Sequence, residues 1–401
     1  MTRVKYLILG AGPSGLAFAH TLLGRGEDSF VVLEREAEPG GLCRSREVDG
    51  APLDIGGGHF LDIRRKEVLA LLFSFMPESE WNRFERVAKV RVRGVEVDHP
   101  LEGNLWQLPL EAQADFLESI ARAGSVAGAK MPEKFEDWIR WKLGNRIADE
   151  YMLPYNRKIW SMDVNLLGTY WLYKLPDVSF RETLLSCLSR KAQGSLPAHG
   201  VFLYPKKHGY GEVWRRMGIA LGERLQCTTP VTEINLSSKT VNGTFQADWI
   251  VTTIPWSVWR RASAVPAEVT KMMGDLVHIG VDVDYQPVAP MGNAHWIYEP
   301  DEKLGYHRIL CRNNFCLGSR GVWTETNVAR SGPANNFRHR NDYAYPVNTP
   351  GKPAAVDAIQ KWARSARVLP VGRWGTWEHM NSDVAVSEAI AAAEKLARET
   401  K

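Results

Sequence analysis

Residues 5–34 read KYLILGAGPSGLAFAHTLLGRGEDSFVVLE. Lys5 to Leu9 is a short aliphatic run of strand type. Gly10, Gly12 and Gly15 follow in G-x-G-x-x-G spacing, and LAFAHTLLGRG continues with helical periodicity to a glycine stop. The pattern predicts strand, tight turn and helix. Gly10 permits the turn, Gly12 lets backbone approach a pyrophosphate, and Gly15 lets helix and strand pack closely, with phosphate charge at the helix N-terminus. SFVVLERE supplies the next strand and ends near Glu34, whose carboxylate is placed for ribose hydroxyls and disfavours a 2′-phosphate. The expected ligand is a dinucleotide.

A second set, Gly40 and Gly41 followed by Leu42 and Arg44, chooses between dinucleotides, because a nicotinamide domain has no general need of another glycine turn just past the acid. With it the chain resembles the large flavoprotein family that begins GxGxxG...E...GG(L/R), which includes amine oxidases, protoporphyrinogen oxidases and UDP-galactopyranose mutases. The resemblance implies FAD. LDIGGGH, with Gly56, Gly57, Gly58 and His59, is similar to the D-x-G-G-H element which that family lays beside the isoalloxazine ring. ADWIVTTIP resembles the strand returning to the dinucleotide domain, and AVSEAIAAAEKLARE its last helix. By this resemblance the cofactor residues are Gly10, Gly12, Pro13, Ser14, Gly15, Glu34, Gly40, Gly41, Leu42, Arg44, Gly57, Gly58, His59, Val231, Gly372, Arg373, Asn381, Ser382 and Asp383.

Composition narrows the setting. The chain has 401 residues, 44% hydrophobic, enough for two or three interleaved subdomains. Its 50 basic and 46 acidic residues leave a net charge of +4 without a long basic run, so nucleic acid is not an expected partner. The five cysteines, at 43, 187, 227, 311 and 316, show neither CxxC nor Cys/His ligand spacing, so neither a disulfide framework nor a metal site is expected. Tyr6 to Leu9 is too short for the core of a secretion signal, and no stretch approaches about 18 apolar residues. A cytoplasmic protein without a membrane span is the expectation.

Further stretches single out one branch. VDHPLEGNLWQLP, FEDWIRWKLGNRIADEYMLPYNRKIW, VFLYPKKHGYGEVW, HWIYEPDEKLGYHR, YAYPV and GRWGTWEHMNSD occur in the order seen in UDP-galactopyranose mutases, more nearly the eukaryotic type. That resemblance implies a nucleotide-sugar substrate and a ring isomerisation in which N5 of reduced FAD attacks the anomeric carbon. NAD(P)H is a candidate external reductant. It assigns catalysis to Arg308, Tyr345, His59 and His379, and substrate binding to Asn156, Trp160, Lys174, Trp296, Tyr298, Arg308, Tyr345 and His379. Arginine suits a leaving diphosphate because its fork can bond two oxygens.

The chain also departs from that family. Leu175, beside Lys174, stands where a second diphosphate arginine is usual, His379 where a tyrosine is common, and Glu102 where a glutamine is found. Two alternatives accompany the mutase reading: an oxidoreductase of the amine oxidase or protoporphyrinogen oxidase type, and a binding protein that has lost catalysis. The expected architecture is α/β, a Rossmann-like FAD-binding domain of the GR2 type with a helical insertion and an antiparallel-sheet substrate domain. Its expected parts are 1–75 (FAD-binding start), 76–195 (helical insertion and substrate region), 196–270 (return strands), 271–350 (antiparallel sheet) and 351–401 (C-terminal flavin segment and helix). Within the insertion, 110–127 reads as one helix, and a second runs from Phe135 until Pro154.

Overall fold

The computed structural model describes residues 1–172, 177–194, 200–289 and 291–400. The opening run forms the strand Thr2–Leu9, which pairs in parallel with Phe30–Leu33 on one side and with Phe245–Thr252 on the other. Leu225–Gln226 extends one edge and Val368–Pro370 pairs beyond Phe245–Thr252, so the C-terminal third returns to this sheet. Successive residues of a strand face opposite ways. Tyr6 and Ile8 therefore enter one apolar cluster, and Leu7 and Leu9 the other. Both faces are covered over Tyr6–Leu9, which is why that half of the strand reads as continuously apolar.

The helix Pro13–Gly24 follows the glycine turn, and the C-terminal helix Ser382–Glu399 packs against it. Ser14 fixes the contact by donating from Oγ to the Ala385 carbonyl at 3.3 Å.

A second seven-stranded sheet carries the expected antiparallel region. Its order is Arg338–Pro346, His278–Gln286, Val322–Asn327, Arg308–Leu310, Trp296–Tyr298, Ala88–Val92 and Val95–Asp98. Only the Trp296–Tyr298 and Ala88–Val92 pair runs parallel. The segment 76–195 is thus not helical throughout: Ala88–Val92 and Val95–Asp98 lie in this sheet, and Trp81–Glu85 pairs with Val201–Pro205 in a smaller one. AKVRV alternates apolar and polar residues, as a strand with one buried face does.

The helix expected over 110–127 ends at Ala121, and the one expected to stop at Pro154 does not. Phe135–Ile147 bends at Gly144, whose φ is +75°, passes through a π turn over Ala148–Met152, and resumes as Leu153–Trp160. Pro154 follows directly on the π turn, in a backbone that stays helical through Met152 and Leu153, so the helix runs on past it.

Candidate active site

The two glycine sets meet. Gly10 has φ +98°, a conformation that disfavours any side chain, and a methyl group on Gly15 would lie 2.0 Å from the Gly10 carbonyl oxygen. Gly12 differs. A methyl there would meet nothing nearer than the Gly41 Cα at 4.0 Å, so the space in front of the helix N-terminus is open. Ala11 N–H donates to Glu34 Oε2 at 2.8 Å, which fixes the carboxylate at the end of the second strand. The Gly40 N–H donates to Ala11 O at 2.8 Å, and Arg44 Nε donates to Gly41 O at 3.0 Å, so the second glycine turn is locked over the first. A methyl group on Gly56 would lie 2.0 Å from Leu42 O, a close approach that ties this turn to the LDIGGGH segment.

The C-terminal segment closes the cradle. Gly372, with φ +73°, leaves no room for a side chain because Ser14 Oγ would stand 2.2 Å from it. Ser382 Oγ shares a 2.7 Å hydrogen bond with Tyr210 Oη, Asp383 accepts from Arg65 Nε at 3.1 Å, and Asn381 is the N-cap residue of the last helix. Val231 is half-buried in the apolar cluster on the far face of the sheet, in the stretch that begins where Thr229 N–H donates to Glu34 O. A pyrophosphate beside Gly12 and a ribose at Glu34 fit this cradle, and Pro13 leads the helix away from it.

Beyond the cradle, the strands Arg308–Leu310 and Val322–Asn327 place Arg308 directly opposite Glu325. Arg308 Nε and Nη2 donate to the two carboxylate oxygens at 2.8 and 2.7 Å, and Nη2 also lies 3.4 Å from Tyr345 Oη. Glu325 Oε1 accepts a third bond, from Gly58 N–H at 2.9 Å, and a methyl on Gly57 would strike the same oxygen. One buried carboxylate therefore joins the expected flavin-facing turn to the expected diphosphate arginine. Burial alone would raise the Glu325 carboxyl, but Arg308, with His307 and the Gly58 N–H, outweighs it and holds the group down at about 2. His59 is the reverse: burial, then the Arg373 guanidinium, pushes its imidazole down to about 4, so it is neutral at pH 7.

Glu325 was not legible as a site residue from motifs. Its signal is a charged residue in VWTETN, a strand buried at every position. Because the folded value lies below the ordinary 4.5, this carboxylate adds stability that is full above about pH 4.5 and is lost as pH falls towards 2. Glu325→Gln is expected to flatten that part of the acid limb in melting temperature against pH; an unchanged limb would mean that Glu325 is not held ionised by Arg308.

Arg308 and Tyr345 border a cavity of about 300 Å3 with Tyr155, Asn156, Trp160, Tyr298, His307 and His379 among its walls. Aromatic rings dominate. Tyr155 and Tyr298 meet edge to face at 5.4 Å, and Tyr345 and His379 lie 4.8 Å apart. Asn156 accepts from Trp160 Nε1 at 3.1 Å and donates to Met152 O, so within the protein it orients Trp160. Lys158, in the same motif, donates to Glu299 O and Asp301 O at 2.7 Å each and pins this helix beside Tyr298.

Trp296 stands apart from this cavity. It stacks on Phe60 at 5.1 Å beneath the Arg86 guanidinium, two positions from Tyr298 along one strand. Arg373 is held by Ala344 O and Met380 O, with its guanidinium 5.6 Å from the Tyr345 ring centroid. Lys174 and Leu175 lie outside the described residues.

The cradle and the return strand define a flavoprotein, and the chain belongs to the flavin-containing amine oxidoreductase family, which it matches over residues 13–288. The family and the cradle imply FAD as the cofactor. Among solved structures, reduced UDP-galactopyranose mutase superposes with a TM-score of 0.89 at 21% identity, over 99% of this chain and 96% of that one. A putative protoporphyrinogen oxidase from Exiguobacterium sp. 255-15 gives 0.73 at 14% identity over 99% of both chains.

Curated relatives match over shorter stretches. Hydroxyneurosporene desaturase of Rubrivivax gelatinosus is 28% identical over 188 residues, which cover 46% of this chain and 34% of that protein. Putrescine oxidase of Kocuria rosea is 42% identical over 66 residues, 16% of this chain and 13% of that protein. The chain thus spans about a third or less of the length of these two relatives. No helix among the described residues is long and apolar enough to cross a membrane.

Proposed function

We propose that the protein is an FAD-dependent nucleotide-sugar mutase that interconverts pyranose and furanose rings with its flavin reduced. The observation that carries this reading is the aromatic cavity that begins at Arg308 and Tyr345 and is tied through Glu325 to the Gly57–Gly58 turn. When bound, reduced FAD supplies a nucleophilic nitrogen for the sugar's anomeric carbon.

The protein's own residues bind and orient. Tyr155, Trp160 and Tyr298 offer ring faces for a nucleobase and sugar and exclude water. Arg308 presents a cation that Glu325 has already compensated, so it contributes directed hydrogen bonding more than net charge. Tyr345 and His379 add polar edges beside it, and Lys174 is the remaining basic candidate from the sequence. Neutral His59 can accept or donate one hydrogen bond without bringing charge to the flavin.

The family match and the compensated arginine favour a second reading, an oxidoreductase of the amine oxidase or protoporphyrinogen oxidase type. Incubation of dithionite-reduced protein under argon and of oxidised protein in air with a panel of nucleotide sugars, followed by chromatography, separates the two. The mutase reading expects an isomer from the reduced protein alone. Product only from the oxidised protein in air would replace it with the oxidase reading.

A further inference from the structure

The cavity has two chemically different ends. Arg308, Tyr345 and His379 border it alone, whereas Glu102, Lys142 and Leu143 also border a neighbouring cavity of about 310 Å3 and so form the wall between the two. Glu102 lies in the short turn Leu101–Gly103 and is only 7% exposed. No other described residue donates a hydrogen bond to its carboxylate, and burial pushes the carboxyl up to about 7, so it is mostly ionised at pH 8. The charges beside it are Lys142 and Asp177, which are themselves ion-paired. A carboxylate that lines a cavity keeps lone pairs for donors that a ligand brings.

Resting on the nucleotide-sugar reading above, we infer that Glu102 reads the base of the ligand by accepting two N–H bonds, and that this selects guanine nucleotides. Guanine presents N1–H and the N2 amino group side by side, a pair that one carboxylate accepts with both oxygens. Its O6 lies next to them as an acceptor for an ammonium group, and Lys142 is the cation on the same wall. Uracil offers one N–H flanked by two carbonyl oxygens, which a carboxylate repels. Adenine and cytosine set a ring nitrogen acceptor beside their amino group, and that lone pair also faces the carboxylate unfavourably. A site built around a buried acceptor rejects ligands that leave it unpaired.

The test is calorimetric titration of the flavin-loaded protein at pH 8 with GDP, IDP, UDP and ADP, for wild type and Glu102→Gln, with flavin absorbance confirming that the variant folds. Wild type is expected to bind GDP about tenfold or more tighter than UDP or ADP, with IDP, which lacks the amino group, weaker than GDP by about tenfold. Glu102→Gln exchanges one acceptor for a donor and is expected to cut the preference of GDP over UDP by about tenfold or more. Equal or tighter binding of UDP to wild type, or an unchanged ratio in Glu102→Gln, overturns the assignment of Glu102 and leaves the nucleotide reading standing. No binding of any of the four overturns both.

Discussion

Gly12→Val is expected to give a folded, colourless protein. At Gly12 the backbone is extended, with φ −73° and ψ −179°, which any residue adopts, and a methyl there would meet no protein atom closer than 4.0 Å. The fold therefore has room for the side chain. The cofactor does not, because the open space lies where a pyrophosphate meets the helix N-terminus. We expect at least a hundredfold loss of FAD affinity with far-ultraviolet dichroism unchanged. Gly15→Ala is the contrast. Its methyl would stand 2.0 Å from the Gly10 carbonyl oxygen, so this smaller substitution is expected to disrupt the strand-turn-helix unit itself. Normal flavin content in Gly12→Val would remove the cradle from this position.

Arg308→Ala is expected to cost stability as well as binding, and more of it than Glu325→Gln. The side chains of the pair are unequally buried, at 20% exposure for Arg308 and 1% for Glu325. Removing the arginine strands an ion in the interior, and breaking a buried pair in this way costs on the order of 3 to 5 kcal/mol. Removing the charge of Glu325 leaves an arginine that still borders the cavity and keeps access to water. In Arg308→Ala the Glu325 carboxyl loses its main stabilising partner, so burial raises its value above that of the unfolded chain. The penalty should then shrink as pH falls and the carboxyl protonates, the opposite of the wild-type trend. Chemical denaturation at pH 5 and pH 8 measures this, and equal stability of the two variants at pH 8 would show that the pair is not buried as described.

The parts of the fold that sequence reading reached are those whose physics is local. Gly10 and Gly15 declare a turn because no side chain fits their contacts, Gly12 marks the open space between them, and the return strand Phe245–Thr252 ends in the buried run Ile250–Thr252 beside Leu7–Leu9. The candidate site was less legible where partners come from distant segments. Arg308 carried a motif, but that its fork is taken by Glu325 follows from strand register, which no short pattern states. Trp296 and Tyr298 look equivalent in HWIYEP, yet one stacks on Phe60 and the other reaches the cavity, because Phe60, Phe202 and Arg86 cover the first. Pro154 misled for another reason: a π turn, which no short pattern states, precedes it and the helix continues past the proline.

Counting electrons tests most directly whether a bound flavin works here on a nucleotide sugar without net redox change. Fully reduced protein under argon is given a nucleotide sugar on which it turns over, and flavin absorbance and product are followed together through many turnovers. The expected result is product in large excess over enzyme with the flavin still reduced and no reductant consumed. One hydride equivalent transferred per product, or turnover that requires oxygen, would contradict it.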